Sequence, residues 1–151
     1  MIRTLRRYEF SAAHVLARSD WSDDRNRAVY GKCANPSGHG HNYRFELTLE
    51  GAEPSSDAID AIVRSRVLAE LDARFLNREV AAFGRIVPTA ENIARHIWDT
   101  LCGALEPARL TCVRLEGLHV FAASNERDAQ RLLATHAMVL ELARRLSREH
   151  A

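Results

Sequence analysis

No apolar run in these 151 residues approaches the roughly 20 needed to span a membrane as a helix. The opening "MIRTLRRYEF" carries arginines but no apolar stretch, so it is not expected to be a secretory signal. Net charge is almost absent, with 21 Lys and Arg against 20 Asp and Glu leaving a formal +1. Bulk charge therefore gives no reason to expect a nucleic acid as partner. Cysteine is scarce: Cys33, Cys102 and Cys112 are three in number, odd, and without paired spacing. That argues against a disulfide framework and for a reducing cytoplasm. There is no internal repeat, linker or low-complexity tract. With 46% apolar and 27% charged residues, the chain has an ordinary globular composition and the length of one domain with a real core.

The pattern of residues gives a coarse order of elements. Residues 2–13, "IRTLRRYEFSAA", read as a strand. "RSDWSDDRNRAVYGKCANPSG" is rich in Asp, Asn, Ser, Gly and Pro and reads as a long loop, a kind usually functional when it occurs in a compact domain. "HGHNYRFELTLEG" alternates Tyr43, Phe45, Leu47 and Leu49 with polar residues, which predicts a strand with one buried face, ended by Gly51. Ile59, Ile62, Val63, Val67, Leu71 and Phe75 make one helical face, and Ile93, Ile97, Trp98, Leu101 and Leu105 a second. "RLTCVRLEGLHVFAA" reads as two short strands around Gly117. Asn125 and Asp128 begin a last helix over 126–148. Cys102 on a helix face and Cys112 in a strand are expected to be small core residues.

The chemistry concentrates in "KCANPSGHGHNY", residues 32–43. In a strand, residues i and i+2 share a face, so His39 and His41 present two imidazoles together. Zinc takes neutral imidazole well, and three protein ligands with an open position form the catalytic pattern. His14, closing "FSAAH", supplies the third ligand if the first two strands pair antiparallel, because the end of one then meets the start of the other. The plain alternative is a strand-edge pair and an unrelated histidine. Cys33 has two readings. It could close a structural site as a fourth ligand, or act as a nucleophile or base whose thiolate a nearby cation favours.

These residues resemble a known family. "FSAAH" followed by "GKCANPSGHGHNY" is similar to 6-pyruvoyl-tetrahydropterin synthase and its bacterial relative, 6-carboxy-tetrahydropterin synthase of queuosine biosynthesis. The five residues between Cys33 and His39 look like the pyruvoyl type, the queuosine enzymes having a shorter loop. "LDARFLN", "PTAENIARHIWD" and "VRLEG" extend the resemblance over about residues 5–122. It implies an α+β tunnelling fold: a four-stranded antiparallel sheet with two helices on one face, subunits closing a barrel. Residues 1–124 would form that domain, and 125–151 a C-terminal helical extension of it. It further implies a homo-oligomer, a hexamer made as a dimer of trimers, with active sites between subunits; the cysteine count, charge and hydropathy add the expectation of a cytoplasmic protein with no membrane or nucleic-acid partner.

Carried over by motif, zinc would sit on His14, His39 and His41, and Cys33 would be catalytic. Glu116 would anchor the pterin, since a carboxylate can accept from both a ring N–H and an exocyclic amine. Thr89 and Glu91 would line the pterin pocket, although Thr89 is also a good helix cap. The implied substrate is 7,8-dihydroneopterin triphosphate, with loss of triphosphate, no redox cofactor, and a pyruvoyl or carboxy product.

One departure bears on activity. The family places an Asp-His pair where this chain reads "LDARFLN", so Asp72 is present and Ala73 stands in the histidine's place. The pair implies a proton relay with the cysteine, the aspartate orienting the imidazole. Without it, the chain is an engineered variant or a natural pterin-binding paralogue with impaired turnover, or another histidine such as His119 substitutes. Residues 52–62 also lack the family's glycine- and methionine-rich lead into the first helix, and the helix over 126–148 lies beyond the family's core.

Overall fold

The computed structural model describes residues 2–51 and 55–118. Strands β1 (Arg3–His14) and β2 (His39–Glu50) pair antiparallel along their whole length, from Arg3 opposite Glu50 to His14 opposite His39. The alternation in "HNYRFELTLE" makes this register the stable one. A slip by one residue would turn Tyr43, Phe45, Leu47 and Leu49 to the other face. Helix α1 (Asp23–Tyr30) and a 3₁₀ turn (Gly31–Ala34) connect the two strands.

After β2 the chain forms α2 (Ser56–Val63), a π-type turn (Arg64–Leu68) and α3 (Ala69–Leu71) as one continuous run. Its buried residues, Ile59, Val63, Val67 and Leu71, fall every fourth position. In a regular α-helix that spacing drifts around the axis by roughly 40° per step. The wider i→i+5 turn at its middle offsets part of the drift. The apolar pattern predicts helix as far as Phe75, but the helix stops at Leu71. Asp72 is extended, Ala73 has φ +56°, and Phe75 belongs to β3 (Arg74–Phe75), which pairs parallel with β1. A short α4 (Leu76–Glu79) and a 3₁₀ turn (Ala81–Gly84) lead to α5 (Ala90–Leu101), capped by the Thr89 hydroxyl. Strand β4 (Arg109–Leu118) adds antiparallel to β2.

The sheet order is β3-β1-β2-β4, the expected four-stranded α+β arrangement, except that the short β3 joins parallel to β1 where an antiparallel strand was expected. The fourth strand among the described residues is the two-residue β3. Strand β4 runs through Gly117, which pairs with Tyr43, so no break falls there. The second strand expected after Gly117, the helix over 126–148 and His119 lie outside the described residues. Phe10, Tyr43, Phe45, Leu47, Leu49, Val113 and Leu115 of the sheet join Ile59, Val63, Leu71, Ile93, Ile97 and Leu101 of the helices in one buried cluster. The outward face is polar, with Arg7 on Glu46 and Arg44 on Glu9. No helix among the described residues is long and apolar enough to cross a membrane.

Two expectations need correcting. The middle of the expected long loop is α1, capped by Ser22, which accepts from the Arg25 N–H, with Asp23 and Asp24 in its first turn. Periodicity could not reveal it, because Asn26 is its only buried residue. Cys102 is not a core residue: it caps the C-terminus of α5 and is exposed, while Cys112 is half-buried.

Phe45 is fully buried, with Tyr8 stacked at 5.2 Å and Phe10 edge-on at 6.1 Å. Phe45→Ala is expected to cost about 3–5 kcal/mol by cavity formation. Its neighbour Arg44, whose pair with Glu9 is exposed, is expected to cost no more than about 1 kcal/mol when truncated to alanine. Urea titration of both variants checks the contrast.

Candidate metal centre and active site

The pairing of β1 with β2 brings His14 directly opposite His39, with His41 opposite Ala12. All three imidazoles sit on the core-facing side at one end of the sheet, His14 and His41 buried and His39 half-buried. His14 Nε2 lies 3.1 Å from His39 Nε2 and 3.1 Å from His41 Nε2. The three ligand atoms are within 4.8 Å of one another. The far nitrogen of His14, Nδ1, is 2.8 Å from the Pro88 carbonyl and 3.3 Å from the Tyr43 hydroxyl. A carbonyl only accepts, so Nδ1 carries the proton and the Nε2 lone pair faces the other two rings. This carbonyl-oriented tautomer is the arrangement metal-binding histidines use.

The donor set fits zinc. Tetrahedral zinc with bonds of about 2.0–2.1 Å holds its ligand nitrogens roughly 3.3 Å apart. Neutral imidazole nitrogens at the observed separations repel unless a cation or proton lies between them. Gly38 makes the approach to His39 feasible: its φ is +74°, and a Cβ there would lie 2.8 Å from the Phe75 ring. Only glycine satisfies both conditions.

Cys33 is outside the three-histidine cluster. It sits half-buried in the 3₁₀ turn after α1, and its carbonyl accepts from the Leu16 N–H at 2.8 Å, which holds the turn against the chain just past His14. Burial pushes the Cys33 thiol up from its ordinary range. Burial, and then the nearby Cys33 thiolate, likewise push up the Tyr43 phenol.

Asp72 and Ala73 dock on the open side of β1. Asp72 Oδ1 accepts from the Ser11 N–H at 2.9 Å, and the Ala73 N–H donates to the Ser11 carbonyl at 2.7 Å. Asp72 thus has a structural task whatever else it does. Ala73 faces a hollow of about 460 Å³ whose lining includes His41, Asn42 and Glu79. Cys33 is not part of that lining.

Glu116 is set apart from the histidines. It pairs with Arg44 on the outward face, while Tyr43 and Phe45 turn inward beside it, and its carboxylate is 2.7 Å from Arg114. Thr89 accepts from the Asn92 N–H at 3.3 Å as the cap of α5 and also lines a cleft of about 760 Å³. Glu91, half-buried in the first turn of α5, is not in the lining of that cleft. The sequence reading missed two groups that orient His14, the Pro88 carbonyl and the Tyr43 hydroxyl. The first is a backbone atom 74 residues away and leaves no signal in side-chain identities. The second was legible in principle, since Tyr43 shares the face of His41 two residues earlier.

A profile of the family described as 6-pyruvoyl tetrahydropterin synthase matches residues 4–124. The 6-pyruvoyl tetrahydrobiopterin synthase of Poecilia reticulata is 40% identical over 108 residues, 67% of this chain and 73% of that protein. The corresponding Homo sapiens protein is 37% identical over 103 residues, 64% of this chain and 71% of its own length. The solved structure of Caenorhabditis elegans 6-pyruvoyl tetrahydropterin synthase superposes with a TM-score of 0.72 at 32% identity, covering 78% of this chain and 89% of that one. With the profile spanning β1 to β4 and the same fold in a solved relative, this chain belongs to the 6-pyruvoyl tetrahydropterin synthase family.

Proposed function

We propose that this chain is a zinc-dependent lyase of the family's type. Its substrate is 7,8-dihydroneopterin triphosphate, which loses triphosphate, and Ala73 limits its turnover. The observation that carries the reading is the convergence of three Nε2 atoms, one of them oriented by the Pro88 carbonyl, beside the turn that holds Cys33. His14, His39 and His41 hold the ion, which when bound supplies Lewis acidity toward the substrate's side-chain hydroxyls and the adjacent C–H. Cys33 takes a proton at Sγ as general base. Glu116 binds the pterin edge through two accepted hydrogen bonds, and Thr89 and Glu91 line the pocket.

Glu116 is on the opposite face of the sheet from the histidines, so one subunit does not bring both to one substrate. The reading therefore includes sites formed between subunits, and the family resemblance adds a hexamer built as a dimer of trimers. Incubation with dihydroneopterin triphosphate and analysis of product and released triphosphate tests it. Product identity also separates the pyruvoyl from the carboxy outcome. Absence of triphosphate release from both this chain and its Ala73→His variant would remove the lyase reading. Ala73 favours a second reading, a zinc-containing pterin-binding paralogue without turnover. That reading stands if reduced pterin binds while neither chain releases triphosphate.

Cys33→Ala is expected to retain the full zinc content and to lose turnover, by roughly the 10²- to 10⁴-fold typical of a general base. Loss of zinc in that variant would make Cys33 a ligand instead. Burial raises the Cys33 pKa, so the thiol stays protonated to higher pH than a free cysteine. Alkylation of metal-free protein is thus expected to turn on only at pH above the ordinary thiol range. Zinc loading is expected to move that midpoint down, because a nearby cation favours the thiolate. Iodoacetamide kinetics against pH, with and without zinc, measure both.

A further inference from the structure

Strand β1 ends at His14 and β3 ends at Phe75, so among the described residues the sheet offers Val15 no ladder partner. A peptide group packed beside a buried strand end still needs its donor and acceptor matched. Asn77 matches both from its side chain. Its Oδ1 accepts from the Val15 N–H at 2.8 Å, and its Nδ2 donates to the Val15 carbonyl at 3.0 Å. A carboxamide has the acceptor and the donor of a peptide group, so it continues the β3 edge beyond its last residue. Asn77 projects from α4, which the fully buried Leu76 anchors in the core.

The same short segment grips β1 on both sides of His14. Asp72 and Ala73 bond the N–H and the carbonyl of Ser11, Arg74 and Phe75 pair with Ala12 and Ala13, and Asn77 holds Val15. The Phe75 ring also packs on Gly38, the residue before His39. One residue past Val15, the Leu16 N–H donates to the Cys33 carbonyl at 2.8 Å. Two consecutive residues after His14 are thus tied, the first to Asn77 and the second to the Cys33 turn. His14 and His39 are the last pair of the β1–β2 ladder, the place where a ladder opens most easily. A metal tripod needs its ligands held within about 0.5 Å.

We propose that Asn77 is a positioning residue for the metal centre. It fixes the strand end that carries His14 and, through Leu16, the spacing between the three histidines and the Cys33 turn. This inference deepens the function proposed above and rests on it for the metal. Asn77 touches neither the ion nor the thiol. It acts through the backbone of Val15, and both of its side-chain hydrogen bonds are spent there.

The test has two readouts on the full chain. The first is titration of metal-free protein with cobalt, a divalent ion whose visible absorption reports ligand geometry. The second is alkylation of Cys33 by iodoacetamide at one fixed pH, also metal-free, followed by mass spectrometry of the Cys33 peptide. The variants are Asn77→Ala, Asn77→Leu and Ser55→Ala. Leucine fills the space of the amide but makes neither hydrogen bond. Ser55→Ala removes the cap of α2, where the Ser55 hydroxyl accepts from the Ala58 N–H, and so lowers stability away from the histidines. Urea titration confirms that each variant is folded. Both Asn77 variants are expected to bind cobalt about tenfold more weakly, as loss of an outer support of a metal ligand does, with shifted absorption bands and faster Cys33 alkylation. Ser55→Ala is expected to change none of these. Cobalt affinity and spectrum that stay the same in both Asn77 variants, or change equally in Ser55→Ala, overturn the positioning role. Asn77→Leu behaving as the unmodified chain while Asn77→Ala does not would assign the effect to packing and overturn it too. An unmodified chain that binds no cobalt, with Cys33 alkylation still faster only in the Asn77 variants, would overturn the metal reading and leave the tie from Asn77 to the Cys33 turn standing.

Discussion

Placing histidine at position 73 is expected to raise triphosphate release from dihydroneopterin triphosphate by about 10²- to 10⁴-fold, the usual contribution of a positioned acid or base. A methyl group can neither donate nor accept a proton in a relay, so the chain as it stands should bind a reduced pterin and turn over slowly or not at all. The backbone is suited to the substitution. Ala73 has φ +56°, a region in which histidine is found more readily than most residues. The hollow of about 460 Å³ beside it gives an imidazole room, and His41 lies in the same lining. Asp72, one residue earlier, is already fixed by the Ser11 N–H. Pterin affinity should change little, because the substitution touches no group assigned to ground-state binding. Single-turnover assays of the two chains, with neopterin titrations alongside, measure both quantities. Equal rates would mean that another group carries the proton, and His119→Ala in the unmodified background would then be the informative variant.

His39→Ala is expected to abolish zinc binding. Chelator-free protein should carry close to one zinc per chain, and the variant close to none. The loss is large because the three nitrogens act as a set, and two imidazoles without the third are a poor site. Pro88 contributes only a backbone carbonyl to His14, so Pro88→Ala should keep the metal if the carbonyl stays in place. Elemental analysis of the three proteins distinguishes these cases. Equal zinc in the unmodified chain and His39→Ala would remove the site.

Where periodicity was strong, the sequence reading was sufficient. The two-residue alternation from Tyr43 to Leu49 predicted β2 and its buried face, because only one pairing parity buries all four residues. Ile93, Ile97 and Leu101 predicted α5 in the same way. Helix α1 was not legible, since it buries a single residue and owes its start to the Ser22 cap and two acidic residues that also occur in loops. The early end of α3 was hidden because Leu71 and Phe75 keep helical spacing, while the docking of Asp72 and Ala73 on Ser11 bends the chain between them.

By itself the sequence determined that three imidazoles meet at one end of the sheet. His39 and His41 share a face because strand geometry makes i and i+2 equivalent, and His14 meets them because it ends the strand that pairs with theirs. Tertiary structure alone decided the rest. It set the tautomer of His14 through Pro88, placed Glu116 on the opposite face, and tied Asn77 to Val15 beside His14. These relations depend on backbone atoms and on loops that close across tens of residues. Local periodicity repeats over a few residues and carries no record of which distant loop folds back to meet it.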